Sequence, residues 1–438
     1  MKRSPKTTLW IGVYLLLVFA PLILLFIGPR PAGREFWREL SVALGFAGMA
    51  LMGLQFIPTA RLPFLANVFP LDTLYTFHHQ TSVVGFLLAM AHPIILFINN
   101  PYTLQLLDIF NAPLRARAAV FATVAVILLI LTSVWRKALE IKYESWRAIH
   151  DLLAVLIAVM ALYHMFNVDY HMSNPLQRSF WGLMAVIWAG MMLYIRVIKP
   201  WIMLQHPYEL KEVIEERGSS WTLTLAPVGH KGLTFMPGQV AWLTVQRSPF
   251  SIRQHPFSFS SSAEHPEQLQ FTIRELGDFT ATVKDLPIGE RVYIDGPYGT
   301  FDIDQHAAPG YVFLAGGIGS APIMSMLRTL ADRGDTRPLY FFYGSQTWES
   351  IIYREELESL KKKLNLRLVH VLERPPEEWT GETGFITTEV LARHLPEDRA
   401  AFVYFICGPL PMIAAVERSL EKLHLPISHV HSEQYDMA

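Results

Sequence analysis

Six apolar runs in the first 200 residues restrict this chain more than any other feature. They cover roughly residues 8–27, 37–57, 75–98, 116–135, 148–167 and 179–198. Each is long enough to cross a hydrocarbon core of about 30 Å as a helix. A spanning segment has to satisfy its own backbone hydrogen bonds in lipid, so six such runs predict an all-α membrane bundle. The opening MKRSPK and the apolar run behind it read as a first span, because the run is too long for a signal peptide and lacks a small-residue cleavage site. Lys and Arg in the short loops number nine on the N-terminal side and six on the other. That bias predicts a multi-pass protein of the cell membrane, with the N-terminus and everything after residue 200 in the cytoplasm.

Past Lys199-Pro200 the texture changes to that of an ordinary charged protein. Short β-type runs between 209 and 305 (WTLTLAP, VAWLTVQ, LQFTIRE, RVYIDGP) are separated by Gly and Pro turns and predict a small antiparallel β-barrel. From Tyr311 onward apolar strands alternate with amphipathic helices expected at 320–333, 348–363, 386–394 and 410–423. This alternation predicts an α/β doubly wound parallel sheet. The expected divisions are a span domain at 1–200, a barrel domain at 205–305 and an α/β domain at 308–438. A net charge of −1 suggests no nucleic acid partner. The single cysteine, Cys407, rules out a disulfide framework and a Cys-ligated iron–sulfur cluster within the chain.

The third run, YTFHHQTSVVGFLLAMAHPIILFI, has no Lys, Arg, Asp or Glu, yet it holds His78, His79 and His92. Ionisable groups inside a span are costly and are functional candidates by default. The plainer alternative is hydrogen bonding to neighbouring helices. The fifth run adds His150 and His164 with the same 14-residue separation as His78 and His92. Fourteen residues are close to four turns, so each pair lies near one helix face, about 21 Å apart along the axis. The two helices run in the same direction, so His78 pairs with His150 near the inner side and His92 with His164 near the outer side. Two histidines at one depth can clamp a haem iron from both faces, an arrangement suited to electron transfer. Zinc would need four ligands together. His79 lies one residue off the shared face, which favours His78. His171 reads as a surface histidine, with lining of the exit as the alternative, and Asp151 as a helix-end or supporting group.

In the soluble half, His255-Pro-Phe-Ser-Phe-Ser-Ser261 follows a barrel strand, and FTIRELGDFT comes at 271–280. Arg274 can meet a diphosphate, and the turn Gly277-Asp278-Phe279-Thr280 can lead phosphate oxygens to a short helix N-terminus. AGGIGSAP (315–322) opens a helix directly after a strand. It is either a packing turn or a diphosphate cradle. Cys407 in ICGPLPM is either a small core residue or a group lining a nicotinamide site.

The order HPFSFSS, RELGDFT, GPYG, GGIGSAP, FYGSQ, CGPLPM resembles the ferredoxin–NADP reductase superfamily. With two 14-spaced histidine pairs on six spans ahead of it, the chain resembles the ferric reductase and NADPH oxidase superfamily over roughly residues 40–438. The resemblance implies FAD held by His255, Pro256, Phe257, Ser258, Arg274, Gly277, Asp278, Phe279 and Thr280. Ser258 would approach flavin N5. Gly316, Gly317, Gly319 and Pro322 would take the diphosphate of NADPH or NADH, and Cys407, Gly408 and Pro409 would flank its nicotinamide. Tyr435 would stack on the flavin, although three residues follow it here. Two haem b groups would sit on His78/His150 and His92/His164. Electrons would pass from NAD(P)H through FAD and the haems to an outer acceptor. O2 is the first choice, with a ferric chelate or a periplasmic protein partner as alternatives. Animal oxidases carry a further histidine one turn past the outer ligand, where this chain has Leu96. Arg115, Arg117 and Arg178 lie on the expected outer side, where they meet lipid headgroups or attract an anionic chelate. No Arg pair for a 2′-phosphate follows FYGS; Arg374 is the one residue placed to reach it. The balance leans towards NADH or dual use.

Overall fold

The computed structural model describes residues 5–27, 32–66 and 68–434. The chain divides into two compact units, Lys2–Leu65 with Thr73–Lys199, and Ala66–Asp72 with Pro200–Ala438.

The first unit contains α1 (Pro5–Leu24), α2 (Phe36–Leu54), α3 (Leu71–Asn99), α4 (Leu114–Val134), α5 (Tyr143–Val168) and α6 (Pro175–Leu193). Among the described residues six helices are thus long and apolar enough to cross a membrane. Their outward side chains, such as Leu87, Leu152 and Val186, are apolar and exposed, as lipid-facing positions are. Two spans run longer than their apolar sequence alone indicated. The third begins at Leu71, and the sixth continues to Gln205 through a wide turn at Tyr194–Ile198 that keeps the backbone bonded past Arg196. Small residues let α2 and α3 approach closely: a Cβ on Gly48 would stand 2.7 Å from the backbone nitrogen of Ala89.

The second unit holds two six-stranded sheets. The strands are β1 (Tyr208–Glu216), β2 (Ser220–Pro227), β3 (Val240–Val245), β4 (His255–Ser258), β5 (Leu269–Arg274), β6 (Arg291–Tyr298), β7 (Tyr311–Gly316), β8 (Leu339–Ser345), β9 (Leu366–Leu372), β10 (Glu382–Thr383), β11 (Val403–Gly408) and β12 (Val430–Gln434). The first sheet is antiparallel in the order β4-β3-β6-β1-β2-β5, and it curls around a core that includes Leu210, Leu223, Phe259 and Phe271. The second is parallel in the order β10-β9-β8-β7-β11-β12. Helices α7 (Ser320–Asp332), α8 (Arg354–Lys363), α9 (Thr388–His394) and α10 (Leu410–Lys422) connect its strands, and apolar clusters lie on both faces. The reversal between β7 and β11 puts the turns after those two strands side by side, where open α/β sheets bind ligands.

One expected helix is shorter than its sequence suggested. Only Arg354–Lys363 of the 348–363 stretch is helical. Trp348 instead packs edge-on against His370 and tilts against Trp379, and Tyr353 takes a left-handed φ of 60° before the helix starts.

Candidate functional site

In the helical unit, His78 of α3 and His150 of α5 face each other with ring centroids 6.3 Å apart. With metal–nitrogen bonds of about 2 Å, a metal clamped between two imidazoles would hold the rings about 6 Å apart. His92 and His164 form the second pair, within electrostatic reach of each other. His79, the next residue of α3, is exposed. Among the described residues no group of three or more His, Cys, Asp or Glu side chains is arranged to hold a metal ion, so these histidines meet only in twos.

Hydrogen bonding identifies the ring nitrogen each histidine presents. Ser41 Oγ donates to the His92 carbonyl, and His92 Nδ1 lies 2.9 Å from the Ser41 carbonyl. A carbonyl only accepts, so Nδ1 carries the proton and Nε2 keeps its lone pair. His164 Nδ1 is likewise 2.9 Å from the Arg115 carbonyl. Ser133 Oγ donates to the Leu129 carbonyl and is therefore left to accept from His150 Nδ1 at 3.2 Å and from Trp146 Nε1 at 3.3 Å. His78 differs: Gln55 is close enough to act on its charge, but Nδ1 closes no hydrogen bond. Three of the four rings thus offer Nε2 to a metal while a partner fixes the ring, the usual arrangement of ligating histidines. Gly45 leaves room for one of them, since a Cβ there would sit 3.1 Å from His92 Cγ. None of these partners was anticipated from the sequence.

Other polar groups of this unit are engaged structurally. His171, expected at the surface, lies 2.8 Å from Glu39 Oε2, and Arg34 Nε bonds the other oxygen of that carboxylate at 3.0 Å. Asp151 pairs with Arg196. Arg117 donates to the Ala112 and Phe110 carbonyls at 2.7 and 2.8 Å, and Arg178 stands 3.8 Å from Asp169.

In the soluble unit β4 carries His255, Pro256, Phe257 and Ser258 as an edge strand paired with β3. The His255 ring lies flat on Phe279, with centroids 3.9 Å apart and planes 5° from parallel. The expected turn at Gly277-Asp278-Phe279-Thr280 is present and leads into a 3₁₀ turn, Thr280–Asp285. The Thr280 hydroxyl closes the segment ahead of it, with Oγ1 accepting from Leu276 N and Gly277 N at 2.8 Å.

The glycines of AGGIG serve close packing as much as ligand approach. A Cβ on Gly319 would fall 2.1 Å from the Cys407 carbonyl, and one on Gly316 would fall 2.5 Å from Met412 Sδ. Pro322 is buried in the first turn of α7, Gly408 is buried at the end of β11, and Pro409 is exposed at the start of α10. Gly317 takes φ +55° and faces Arg274, whose Nη1 would be 3.3 Å from a Cβ there. The Arg274 guanidinium and the Gly-rich turn therefore share one place, although they lie 43 residues apart in sequence.

Beside that turn Cys407 is buried, and burial pushes its thiol well above the ordinary range, with Glu433 adding to the effect. Glu433 sits opposite Cys407 in the β11–β12 register. Its Oε2 is fully shielded and closes no hydrogen bond, and burial pushes its carboxyl up to about 8. The sequence reading passed over Glu433, because an acid near a chain end has no local signal. It also passed over Arg328, which grips Glu356 through Nε and Nη2 at 2.7 and 2.6 Å and the Ser260 carbonyl through Nη1 at 2.6 Å. That one side chain ties the first sheet to α7 and α8. Tyr435 lies outside the described residues.

Residues 44–161 match the ferric reductase-like transmembrane component, residues 223–302 an FAD-binding domain and residues 313–418 the oxidoreductase NAD-binding domain. The chain has the fused architecture of the ferric reductase and NADPH oxidase superfamily. The part after residue 200 carries the FAD- and NAD-binding matches, as electron-transfer oxidoreductases do. The reductase component of propane 2-monooxygenase from Rhodococcus jostii is 30% identical over 222 residues, covering 49% of this chain and 59% of its own length. NADH-cytochrome b5 reductase 1 of Pyricularia oryzae is 28% identical over 169 residues, covering 37% of this chain and 55% of its own length. The chain thus spans about three-fifths of the curated relatives it matches. Among solved structures, the ferredoxin reductase of carbazole 1,9a-dioxygenase is 22% identical, covers 52% of this chain and 69% of its own, and has a TM-score of 0.46.

Proposed function

We propose that this chain moves electrons from NAD(P)H through FAD and two haem b groups to O2 on the far side of a membrane. The observation that carries this reading is the His78–His150 pair, at a separation that suits one metal and on helices long enough to span. FAD would convert a two-electron hydride donor into single electrons, and bis-His haem would pass them on singly. His78 and His150 would hold the inner haem, and His92 and His164 the outer. Ser133 and the carbonyls of Ser41 and Arg115 keep the proton on Nδ1, so that Nε2 stays a ligand. Arg274 beside Gly317 supplies fixed positive charge for a diphosphate, while Phe257 and Ser258 on β4 border the flavin position. Cys407 and Glu433, both shielded, keep water from the nicotinamide position.

The engagement of Arg117 by the Ala112 and Phe110 carbonyls and of Arg178 near Asp169 favours O2, while exposed Arg115 is the cation an anionic chelate would meet. The soluble unit faces the cytoplasm in this reading, following the loop charge bias. The test is purified full-length protein in lipid nanodiscs. Two haems and one FAD per chain are expected, together with superoxide formation on NADH addition that exceeds Fe(III) reduction. A protein without a Soret band would end the reading. Fe(III) reduction without superoxide would turn the acceptor to the chelate.

A further inference from the structure

The link between α3 and α4, residues 100–113, exposes large apolar side chains that a water-facing turn does without. The apolar run of α3 ends near residue 98, and that of α4 begins near 116. Asn100 N still bonds the Leu96 carbonyl at 3.0 Å, and the Thr103 hydroxyl donates to the Asn100 carbonyl at 2.6 Å. At the other end Arg117 donates through Nε to the Ala112 carbonyl at 2.7 Å and through Nη2 to the Phe110 carbonyl at 2.8 Å. Leu96 and Arg117 belong to the two apolar runs themselves. Both ends of the link are therefore pinned where the spans enter lipid, and the link cannot rise away from them as a free loop.

Local structure sorts its side chains. Asn100 caps a 3₁₀ helix, Pro101–Leu107, by accepting from Tyr102 N. Three residues per turn stack every third side chain in one row. Leu104 and Leu107 share an apolar row and are 48% and 46% exposed, and Phe110, in the turn that follows, is 81% exposed. Tyr102 and Gln105 form a second exposed row that leads to Asp108, while Thr103 and Leu106 form the third and are half-buried. Asp108 is the only charged residue between 100 and 113, and its carboxylate accepts from Phe110 N, Asn111 N and Asn111 Nδ2 within the loop. Beyond the link, Arg115 is exposed in the first turn of α4, and Glu35 accepts from Asn99 Nδ2 at 2.9 Å. An apolar row beside a polar one, pinned level with two span ends, suits a helix lying in the membrane interface.

We propose that residues 101–110 lie flat in the leaflet interface where α3 ends and α4 begins, with Leu104, Leu107 and Phe110 at the acyl boundary and Gln105 and Asp108 towards water. Lipid is the occupant of the apolar row because the same exposed surface continues on the two spans through Ile98 and Leu114, 76% and 65% exposed. The segment is bonded to the start of α4, where the Arg115 carbonyl fixes the His164 ring. The inference rests on the membrane reading alone and not on the haem assignment.

The test uses full-length protein in phosphatidylcholine nanodiscs. Cys407 is buried, so L104C, Q105C and F110C can each take a nitroxide label. L87C, at an exposed position in the apolar run of α3, is the lipid reference. Labels at 104 and 110 should be relaxed by O2, which concentrates in lipid, and shielded from an aqueous nickel chelate as at 87. The label at 105 should meet the chelate. Nickel access at 104 and 110 equal to that at 105 overturns the proposal and leaves the membrane reading standing, whereas nickel access at 87 overturns both. Shielding of 104 and 110 from both relaxants marks a protein contact and also overturns it. A second measurement needs no label: in L104S/L107S, hydrogen exchange across 101–110 should rise by about tenfold, the combined scale of two half-buried leucines. Unchanged exchange in that variant overturns the lipid contact.

Discussion

His78 and His150 lie 6.3 Å apart, centroid to centroid, on two helices joined by no local sequence contact. One residue along α3, His79 is exposed. The pair therefore separates two neighbouring histidines that composition cannot. H78A and H150A are each expected to lower haem content from two per chain to one, while H79A keeps two. Pyridine haemochrome quantification on purified protein decides it, and loss of haem in H79A with retention in H78A would reverse the assignment.

Ser133 takes part in the inner pair without being a ligand. Its hydroxyl accepts from His150 Nδ1 and is itself anchored on the Leu129 carbonyl. Removing a partner of this kind weakens metal retention by about 10–100-fold. S133A should then lose the inner haem faster to an apo-haem-protein acceptor, and its midpoint potential should move, with the outer haem unchanged. S133T, which keeps a hydroxyl, should restore most of the retention.

How much of this was legible in the sequence follows from how local each signal is. The six spans could be read because apolar length is a property of one segment. The facing of His78 and His150 could be read because helical periodicity converts a 14-residue spacing into a shared face. Ser41 and Ser133 could not, since they lie 51 and 17 residues from the histidines they serve and carry no motif. The Gly-rich turn was recognisable as a strand–helix turn, but its fit against Cys407 and Met412 depends on two strands meeting in the sheet. Thr280, read as part of a phosphate turn, uses its own hydroxyl to close that turn.

Arg328 cross-links the first sheet and the α/β half. It reaches Glu356 twice and the Ser260 carbonyl once, all within 2.7 Å. Glu356 is partly exposed, which moderates the loss. R328A should cost about 2–3 kcal/mol, the scale of charged hydrogen bonds lost together. R328K should recover less than half, because an ammonium lacks the planar fork. Thermal unfolding of the FAD-loaded protein in detergent reports both.

Nucleotide choice should turn on Glu373 and Arg374. Arg374 is the residue placed to meet a 2′-phosphate, but its Nη2 bonds Gln346 Oε1 at 3.1 Å. Glu373 follows β9, and its N–H bonds the Ser345 carbonyl at the end of β8 at 3.0 Å, which sets its carboxylate where it would repel a 2′-phosphate. NADH should be preferred. E373S should raise kcat/KM for NADPH relative to NADH by roughly tenfold, the scale of one removed like-charge contact. Equal use of the two nucleotides by the native protein would show that neither residue discriminates.

Glu433 makes stability depend on pH in a direction opposite to that of an ion-paired carboxylate. Its carboxyl titrates at about 8 in the folded protein, against an ordinary value of 4.5, because burial opposes its charge. Between those values the unfolded chain has released a proton that the folded chain still holds. Stability from this group is therefore whole below pH 4.5, falls as pH rises towards 8, and is lost above it. E433Q cannot titrate and should remove that slope. Melting curves of native protein and E433Q should lie closest in acid and diverge in alkali, with the variant relatively more stable at high pH. Parallel curves across the range would mean that the Glu433 carboxyl ionises in the fold as it does in water.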